Sequence, residues 1–208
     1  MIETIDQFDK AITLFLNGLH VDWLDKPMLL ISDPKISIPW FIFLFYLIYK
    51  KYNAKTVVLS MAGIGLVVLL CDRISVELFK NVFERLRPSH QPEVKDLIHT
   101  VIGWDGKNYN GGLFGFVSSH ATNYFGIGMF FYLVLRPLKK RIWWIIFGWV
   151  IIVAYSRIYL GVHYLGDILG GTILGLVLGS VAYWVYAMAF KKLFVVKEKA
   201  SGNDLLDN

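Results

Sequence analysis

An arginine, a histidine and an aspartate interrupt two long apolar runs in the stretch Ser156-Arg157-Ile158-Tyr159-Leu160-Gly161-Val162-His163-Tyr164-Leu165-Gly166-Asp167. Charge at membrane depth is costly and is usually kept for function. His163 and Asp167 are four apart, a spacing that puts two side chains on one helical face. The carboxylate can then hold one imidazole nitrogen and leave the other, unprotonated, free to attack. Arg157 does not fit that helix, because six residues at about 100° each put it ~120° off the face of His163. The chain is therefore expected to turn near Gly161, with Arg157 ending one span and His163 opening the next, both at one membrane surface.

Two further blocks carry groups that suit an anion. In Lys80-Asn81-Val82-Phe83-Glu84-Arg85-Leu86-Arg87-Pro88, a continuous helix puts Lys80 and Arg87 on one face with an offset of about 20°, where two cations can clamp an anion. The competing reading is a juxtamembrane basic patch paired with Glu84 or with lipid headgroups. Arg73, one heptad earlier and beside Asp72 and Glu77, reads as a paired structural charge. The other block is Val117-Ser118-Ser119-His120 at the head of an apolar run. Ser118 is a good N-cap, and the free N–H groups behind it form an anion site aided by the helix dipole, with His120 facing it. Alone, this block reads as a cap and an interfacial histidine.

The elements that must position these residues are membrane helices. A 208-residue chain that is 56% hydrophobic and 18% charged, with mean hydropathy +0.52, is too apolar for a soluble domain of its size. The net charge of +5 comes from bases in short clusters between apolar runs, which report topology and exclude a nucleic-acid groove. The single cysteine, Cys71, lies inside an apolar run and leaves no disulfide framework or cysteine metal site. The acidic start is unlike a secretory signal, so no cleaved signal is expected.

The expected fold is all-α: a polytopic bundle of about five spans plus N-terminal interfacial amphipathic helices. The N-terminal segment, 1–35, contains one amphipathic piece ending at Asn17-Gly18 and another from Asp22 to Ile31 that Asp33-Pro34 stops. The domain proper, 36–190, has spans at Ile36–Tyr49, Thr56 to about Ser75, Ser119–Leu135, Ile142–Leu160 and about His163–Phe190. The second span is expected to continue as helix to Arg87, where Pro88 ends it. Gly171, Gly175 and Gly179, each four apart, give a flat stripe for close packing. An extracytoplasmic loop, 88–117, carries Trp104, Tyr109, Phe114 and Phe116 as interfacial anchors, and a polar cytoplasmic tail fills 191–208. Basic clusters at Lys50, Lys51 and Lys55, at Arg136, Lys139, Lys140 and Arg141, and at Lys191, Lys192, Lys197 and Lys199 fall on one side, the cytoplasmic one. The three chemical blocks then face the outer side of a cytoplasmic membrane.

Taken together the blocks resemble the type 2 phosphatidic acid phosphatase family, a membrane branch of the superfamily that includes the vanadium haloperoxidases. Its signatures are K-x6-R-P, P-S-G-H and S-R-x5-H-x3-D. The first is complete from Lys80 to Pro88 and the third from Ser156 to Asp167, while the second appears as Val117-Ser118-Ser119-His120. The resemblance covers about residues 56 to 190. It implies His163 as the nucleophile, Asp167 as its orienting base and His120 as the proton donor to the leaving group. Lys80, Arg87, Ser118, Ser119 and Arg157 are implied to hold the phosphate, with no metal and no cofactor. Val117 stands where the family has proline and Ser119 where it has glycine. These departures loosen a turn and add a side chain where backbone approaches phosphate.

The expected activity is removal of phosphate from a lipid phosphate or pyrophosphate in the bilayer. Candidate substrates are phosphatidic acid, phosphatidylglycerophosphate, undecaprenyl pyrophosphate and lipid A phosphates. The residues choose among none of them, and they set no oligomeric state. One rival is an ion- or proton-relay transporter, opposed by the lack of an inverted repeat. The other is a non-catalytic lipid-binding relative, opposed by the intact histidines and Asp167.

Overall fold

The computed structural model describes residues 2–138 and 141–195. In order these form α1 (Ile2–Asn17), α2 (Asp22–Ser32), a 3-10 turn (Pro34–Ser37), α3 (Ile38–Lys51) and α4 (Ala54–Ile74). A π-helical turn (Ser75–Lys80) carries α4 into the short α5 (Asn81–Phe83). A long connection then leads to α6 (Ser119–Leu135), α7 (Ile142–Tyr159) and α8 (Leu165–Phe190). Among the described residues there is no strand, only the isolated bridges Leu86–Phe114 and Ile102–Asn108.

Among the described residues, three helical stretches are long and apolar enough to cross a membrane: Ala54–Phe83, Ile142–Tyr159 and Leu165–Leu193. Asp22–Ser32 and Pro34–Lys51 qualify jointly as a fourth, bent by 71° where Asp33-Pro34 breaks the helix. The 17-residue α6, at 1.5 Å per residue, is about 26 Å long and runs through the centre of the bundle. It packs most closely on α8, and the glycine stripe is the reason. A Cβ at Gly171 would stand 2.7 Å from the Ser118 carbonyl oxygen, and one at Gly175 or Gly179 would run into the carbonyls of Thr122 or Gly126. Backbone therefore lies on backbone, the arrangement that small residues permit. Leu44, Ile48, Val67, Cys71, Phe130, Phe131, Leu135 and Ile146 fill the space around the pair.

The basic clusters between the spans lie at the end of the bundle away from the chemical blocks. There the Tyr52 hydroxyl donates to the Val134 carbonyl at 3.2 Å, and the Tyr52 ring meets Phe190 edge-on. The turn after α3, the end of α6 and the end of α8 thus meet, with Lys50, Lys51, Arg136 and Lys191 close by in sequence. Lys139, Lys140, Lys197, Lys199 and most of the tail lie outside the described residues.

α1 has the expected extent, but its faces are distributed in an informative way. Ile5, Phe8, Phe15 and Leu19 are exposed, while Thr13 and Asn17 are buried and Asp9 and Lys10 half-buried. An apolar stripe turned outward suits a helix lying in the membrane interface, and the polar stripe is left to face the protein. The Asn17 amide donates to the carbonyls of Ile158 (3.0 Å) and Tyr159 (2.9 Å), and its oxygen accepts from the His99 N–H at 2.8 Å. This pins α1 to the end of α7 and to the long connection.

The helix expected to reach Arg87 ends at Phe83 instead. Glu84 takes a left-handed conformation, φ 46°, and Arg85 to Arg87 are extended. Pro88 disfavours a helical Arg87, and the backbone bonds given up are replaced across the connection: Arg87 N–H donates to Leu113 O at 3.1 Å and Gly115 N–H to Arg85 O at 2.8 Å. Lys80 and Arg87 therefore do not share a helical face. Arg73 pairs with Glu77 at 2.8 Å, as expected, but both are exposed, and Asp72 accepts from Asn123 instead, at 2.6 Å.

Candidate active site

The turn expected near Gly161 is present. Gly161 has φ +69°, and a Cβ there would lie 2.6 Å from the His99 carbonyl oxygen, so the position requires glycine on both counts. His163 leaves this turn just ahead of α8, and Asp167 occupies the helix's first turn. His163 Nδ1 is 3.2 Å from Asp167 Oδ2, and both side chains are buried, at 1% and 0% exposure. Because a carboxylate only accepts, Nδ1 carries the proton and the lone pair lies on Nε2. Burial, then the positive charges of Arg87, Arg157 and Lys80, hold the His163 pKa well below its usual value, so the ring is neutral at physiological pH.

The cations reach this pair from three elements. Arg157, at the end of α7, is 2% exposed. Its Nη1 donates to the Ser32 hydroxyl and to the Tyr109 hydroxyl, the latter at 3.1 Å, whereas its Nε is a buried donor with no acceptor among the described residues. Arg87 comes from the extended segment, its Nε donating to Phe114 O at 3.1 Å. Its guanidinium passes against Gly111, where a Cβ would collide with Nη1 and φ is +67°; this is what the glycine-rich part of the connection is for. Burial, then the neighbouring Arg157, pulls the Arg87 pKa down to about 10, which still leaves it charged at neutral pH. Lys80, from the π-helical turn, feels Arg87, Arg157 and Asp167, and its ammonium makes no hydrogen bond or ion pair among the described residues.

The third block contributes a helix end. Ser118 is the N-cap of α6, its Oγ accepting from the Ala121 N–H at 3.4 Å, and its own N–H donates to the Asp167 carbonyl at 3.0 Å. That bond ties the start of α6 to the start of α8. Among the described residues the N–H groups of Ser119 and His120 have no acceptor, which is the anion site expected of a capped N-terminus. The Ser119 hydroxyl, 3.0 Å from that of Ser75, is turned towards the π-helical turn. His120 stacks on Tyr124 and lies in electrostatic range of His163, Arg157 and Arg87.

Sequence reasoning missed several neighbours. Tyr109, read as an interfacial anchor, is a partner of Arg157, and Phe116 packs on Phe79 and Phe83. Ser32 lies in a segment assigned to the interface. Arg85 was passed over although it stands inside the first block, and it reaches Asp167 Oδ1 at 3.0 Å. A third basic residue within the block, beside Lys80 and Arg87, is the only signal that could have flagged it.

Beside His120 opens a cavity of about 400 Å³ lined by Leu29, Ser32, Asp33, Trp104, Asp105 and Tyr109 among others. A bundle of membrane helices that buries an imidazole–carboxylate pair among three cations defines a membrane enzyme acting on phosphoric esters. The chain belongs to the PAP2 superfamily, whose family model matches residues 61–191. It is 39% identical to a lipid A 4'-phosphatase of Porphyromonas gingivalis over 90% of this chain and 77% of that one. A lipid A 4'-phosphatase of Bacteroides thetaiotaomicron is 32% identical, over 89% and 80% of the two chains. The fold resembles the crystal structure of the transmembrane PAP2-type phosphatidylglycerolphosphate phosphatase from Bacillus subtilis (TM-score 0.60, 22% identity, 91% and 88% coverage). It also resembles that of LpxE from Aquifex aeolicus (TM-score 0.55, 21% identity, 83% and 92% coverage). The protein is a multi-pass membrane hydrolase of lipid phosphates.

Proposed function

We propose that the protein hydrolyses a phosphate monoester of a phosphorylated glycolipid of the lipid A type, at the outer face of the cytoplasmic membrane, through a phosphohistidine. The observation that carries the reading is the buried His163, oriented by Asp167, with the unpartnered Nε of Arg157 and the open N–H groups of α6 nearby. His163 Nε2 attacks phosphorus and the bond to the lipid oxygen breaks. His120 gives that oxygen a proton, then takes one from the water that cleaves the P–N bond. Lys80, Arg87, Arg157 and the Ser119 and His120 N–H groups stabilise the charge that builds on the phosphoryl oxygens, so no metal is required. The Ser118 hydroxyl supports the site by capping α6, and Ser119 acts through its N–H, its hydroxyl being engaged with Ser75.

The glycolipid is favoured by the names of the two relatives and by the cavity beside His120. Trp104 offers a ring face, and Asp33 and Asp105 offer acceptors for sugar hydroxyls. The test is phosphate release by detergent-solubilised protein from lipid A, phosphatidylglycerophosphate, phosphatidic acid and undecaprenyl pyrophosphate, with and without chelator. The expected result is release from lipid A at least tenfold faster than from the glycerolipids and unchanged in chelator. Preference for a glycerolipid or the pyrophosphate would overturn the substrate assignment, and activity that magnesium must restore would overturn the cation mechanism.

Orientation is tested separately. Asn108 is exposed on the long connection and Cys71 is buried. Asn108→Cys in a Cys71→Ser background is therefore expected to react with an impermeant thiol reagent in intact cells, or in spheroplasts where an outer membrane intervenes. Labelling only after lysis would reverse the topology.

A further inference from the structure

We propose that Arg85 is a positioning residue for the nucleophile, and that the polar face of α1 acts on the reaction through it. The proposal rests on the phosphohistidine reading above. Asp167 has two carboxylate oxygens with separate duties. Oδ2 accepts from His163 Nδ1 at 3.2 Å and from the Tyr164 N–H at 3.1 Å. Oδ1 accepts from Arg85 Nη1 at 3.0 Å. A fully buried carboxylate needs a partner to stay ionised, and with Oδ1 held by Arg85 its plane cannot rotate away from the imidazole.

Arg85 is itself fixed from the far side. Its Nη2 lies 2.9 Å from Asp6 Oδ1 and 2.8 Å from Asp9 Oδ2, and its guanidinium rests 4.1 Å above the Tyr164 ring. Engaged by three carboxylates, it is spoken for in a way that Lys80 and the Arg157 Nε are not, which separates it from the phosphate-holding set. The same α1 face caps α8. Asp9 Oδ1 accepts from the Gly166 N–H at 2.8 Å and the Thr13 hydroxyl from the Leu165 N–H at 2.9 Å. Two of the orphan donors of that helix end are thus satisfied from another helix. Both the direction of Asp167 and the helix end that carries it are set by α1, whose opposite face, Ile5, Phe8 and Phe15, is apolar and exposed.

Among the described residues the charged and titratable groups around Asp167 are His163, Tyr164, Arg85, Arg87 and Lys80, with Asp6 and Asp9 one step removed. Removing Arg85 takes away the cation that favours the ionised carboxylate, so Asp167 would gain its proton at higher pH. The acid limb of the rate profile then moves upward, while phosphate binding is left in place.

Three variants, Arg85→Gln, Arg85→Lys and the double variant Asp6→Asn/Asp9→Asn, are compared with wild type for kcat, KM and pH profile on one lipid phosphate. The His163 tautomer is read independently by nitrogen NMR of histidine-labelled protein, assigned with His163→Ala. Arg85→Gln is expected to lower kcat about 10²-fold with KM changed less than about threefold. It should also raise the acid limb by about one pH unit and mix the tautomer that is single in wild type. Arg85→Lys is expected to recover part of each change, and the double variant to move all of them in the same direction by less. An Arg85→Gln protein with wild-type acid limb and tautomer would overturn the proposal, as would a raised KM at unchanged kcat, which would make Arg85 a phosphate ligand. Should wild type cleave no lipid phosphate, the phosphohistidine reading fails, and the tautomer measurement still decides whether Arg85 orients His163.

Discussion

Replacing His163 with alanine is expected to abolish turnover of every substrate, whereas replacing His120 with alanine should spare much of the activity towards an activated aryl phosphate. His163 lies against Asp167 with its proton on Nδ1, and its removal deletes the covalent route. His120 lines the cavity beside the site, where a leaving oxygen would be released. Its removal withholds a proton, a loss of typically ~10² to 10⁴-fold that a poor alkoxide feels in full and an aryl oxide hardly feels. Asp167→Asn should fall between, since it weakens the base without deleting the nucleophile. The measurement is turnover of each variant on a lipid phosphate and on an aryl phosphate, with an acid-free quench to catch acid-labile phosphohistidine. Equal losses for His120→Ala on both substrates, or phosphoprotein persisting in His163→Ala, would reverse the assignment.

The grouping of the candidate site was more legible than the backbone that delivers it. Arg157, Gly161, His163 and Asp167 are close in sequence, so spacing alone fixes a turn between two helices, and the turn is where φ +69° at Gly161 puts it. The glycine stripe of α8 was legible for the same reason, because a four-residue repeat on one helix needs no knowledge of its partner. Lys80 and Arg87 were judged by a helical period that the chain abandons at Glu84. What ends that helix, besides Pro88, is pairing with Leu113 and Gly115, residues about thirty positions away that local pattern cannot register.

The N-terminal helices show a different limit. Periodicity gave α1 its extent, and the acidic residues at its start were read as unlike a secretory signal. Two of their partners, Arg85 for Asp6 and the Gly166 N–H for Asp9, lie 79 and 157 residues further along the chain. A carboxylate waiting for a distant arginine looks, in one sequence, like any solvated carboxylate. Tyr109 was hidden in the same way, since an aromatic in a polar connection suits a membrane interface until Arg157 is found beneath it.

Arg157→Lys keeps the charge and is nevertheless expected to lower kcat/KM by about 10² to 10³-fold, the usual cost of losing one donor to a developing oxyanion. Arg157 divides its guanidinium between two tasks. Nη1 is taken by the hydroxyls of Ser32 and Tyr109, and Nε, buried without an acceptor, is left for a phosphoryl oxygen. An ammonium is a single point of charge on a shorter reach and cannot serve both. Arg87→Lys should cost less, because the Nε of Arg87 is already bonded to Phe114 O and its share in the site is closer to that of a point charge. Vanadate, which takes the five-coordinate geometry of the transferring phosphoryl group, gives a second reading without turnover. Its inhibition constant should weaken in Arg157→Lys by a factor similar to the loss in kcat/KM, while the melting temperature in detergent stays near wild type. An Arg157→Lys enzyme within about threefold of wild type on both measures would mean that Arg157 supplies bulk charge alone, and that the α6 N–H groups and Lys80 carry the transition state.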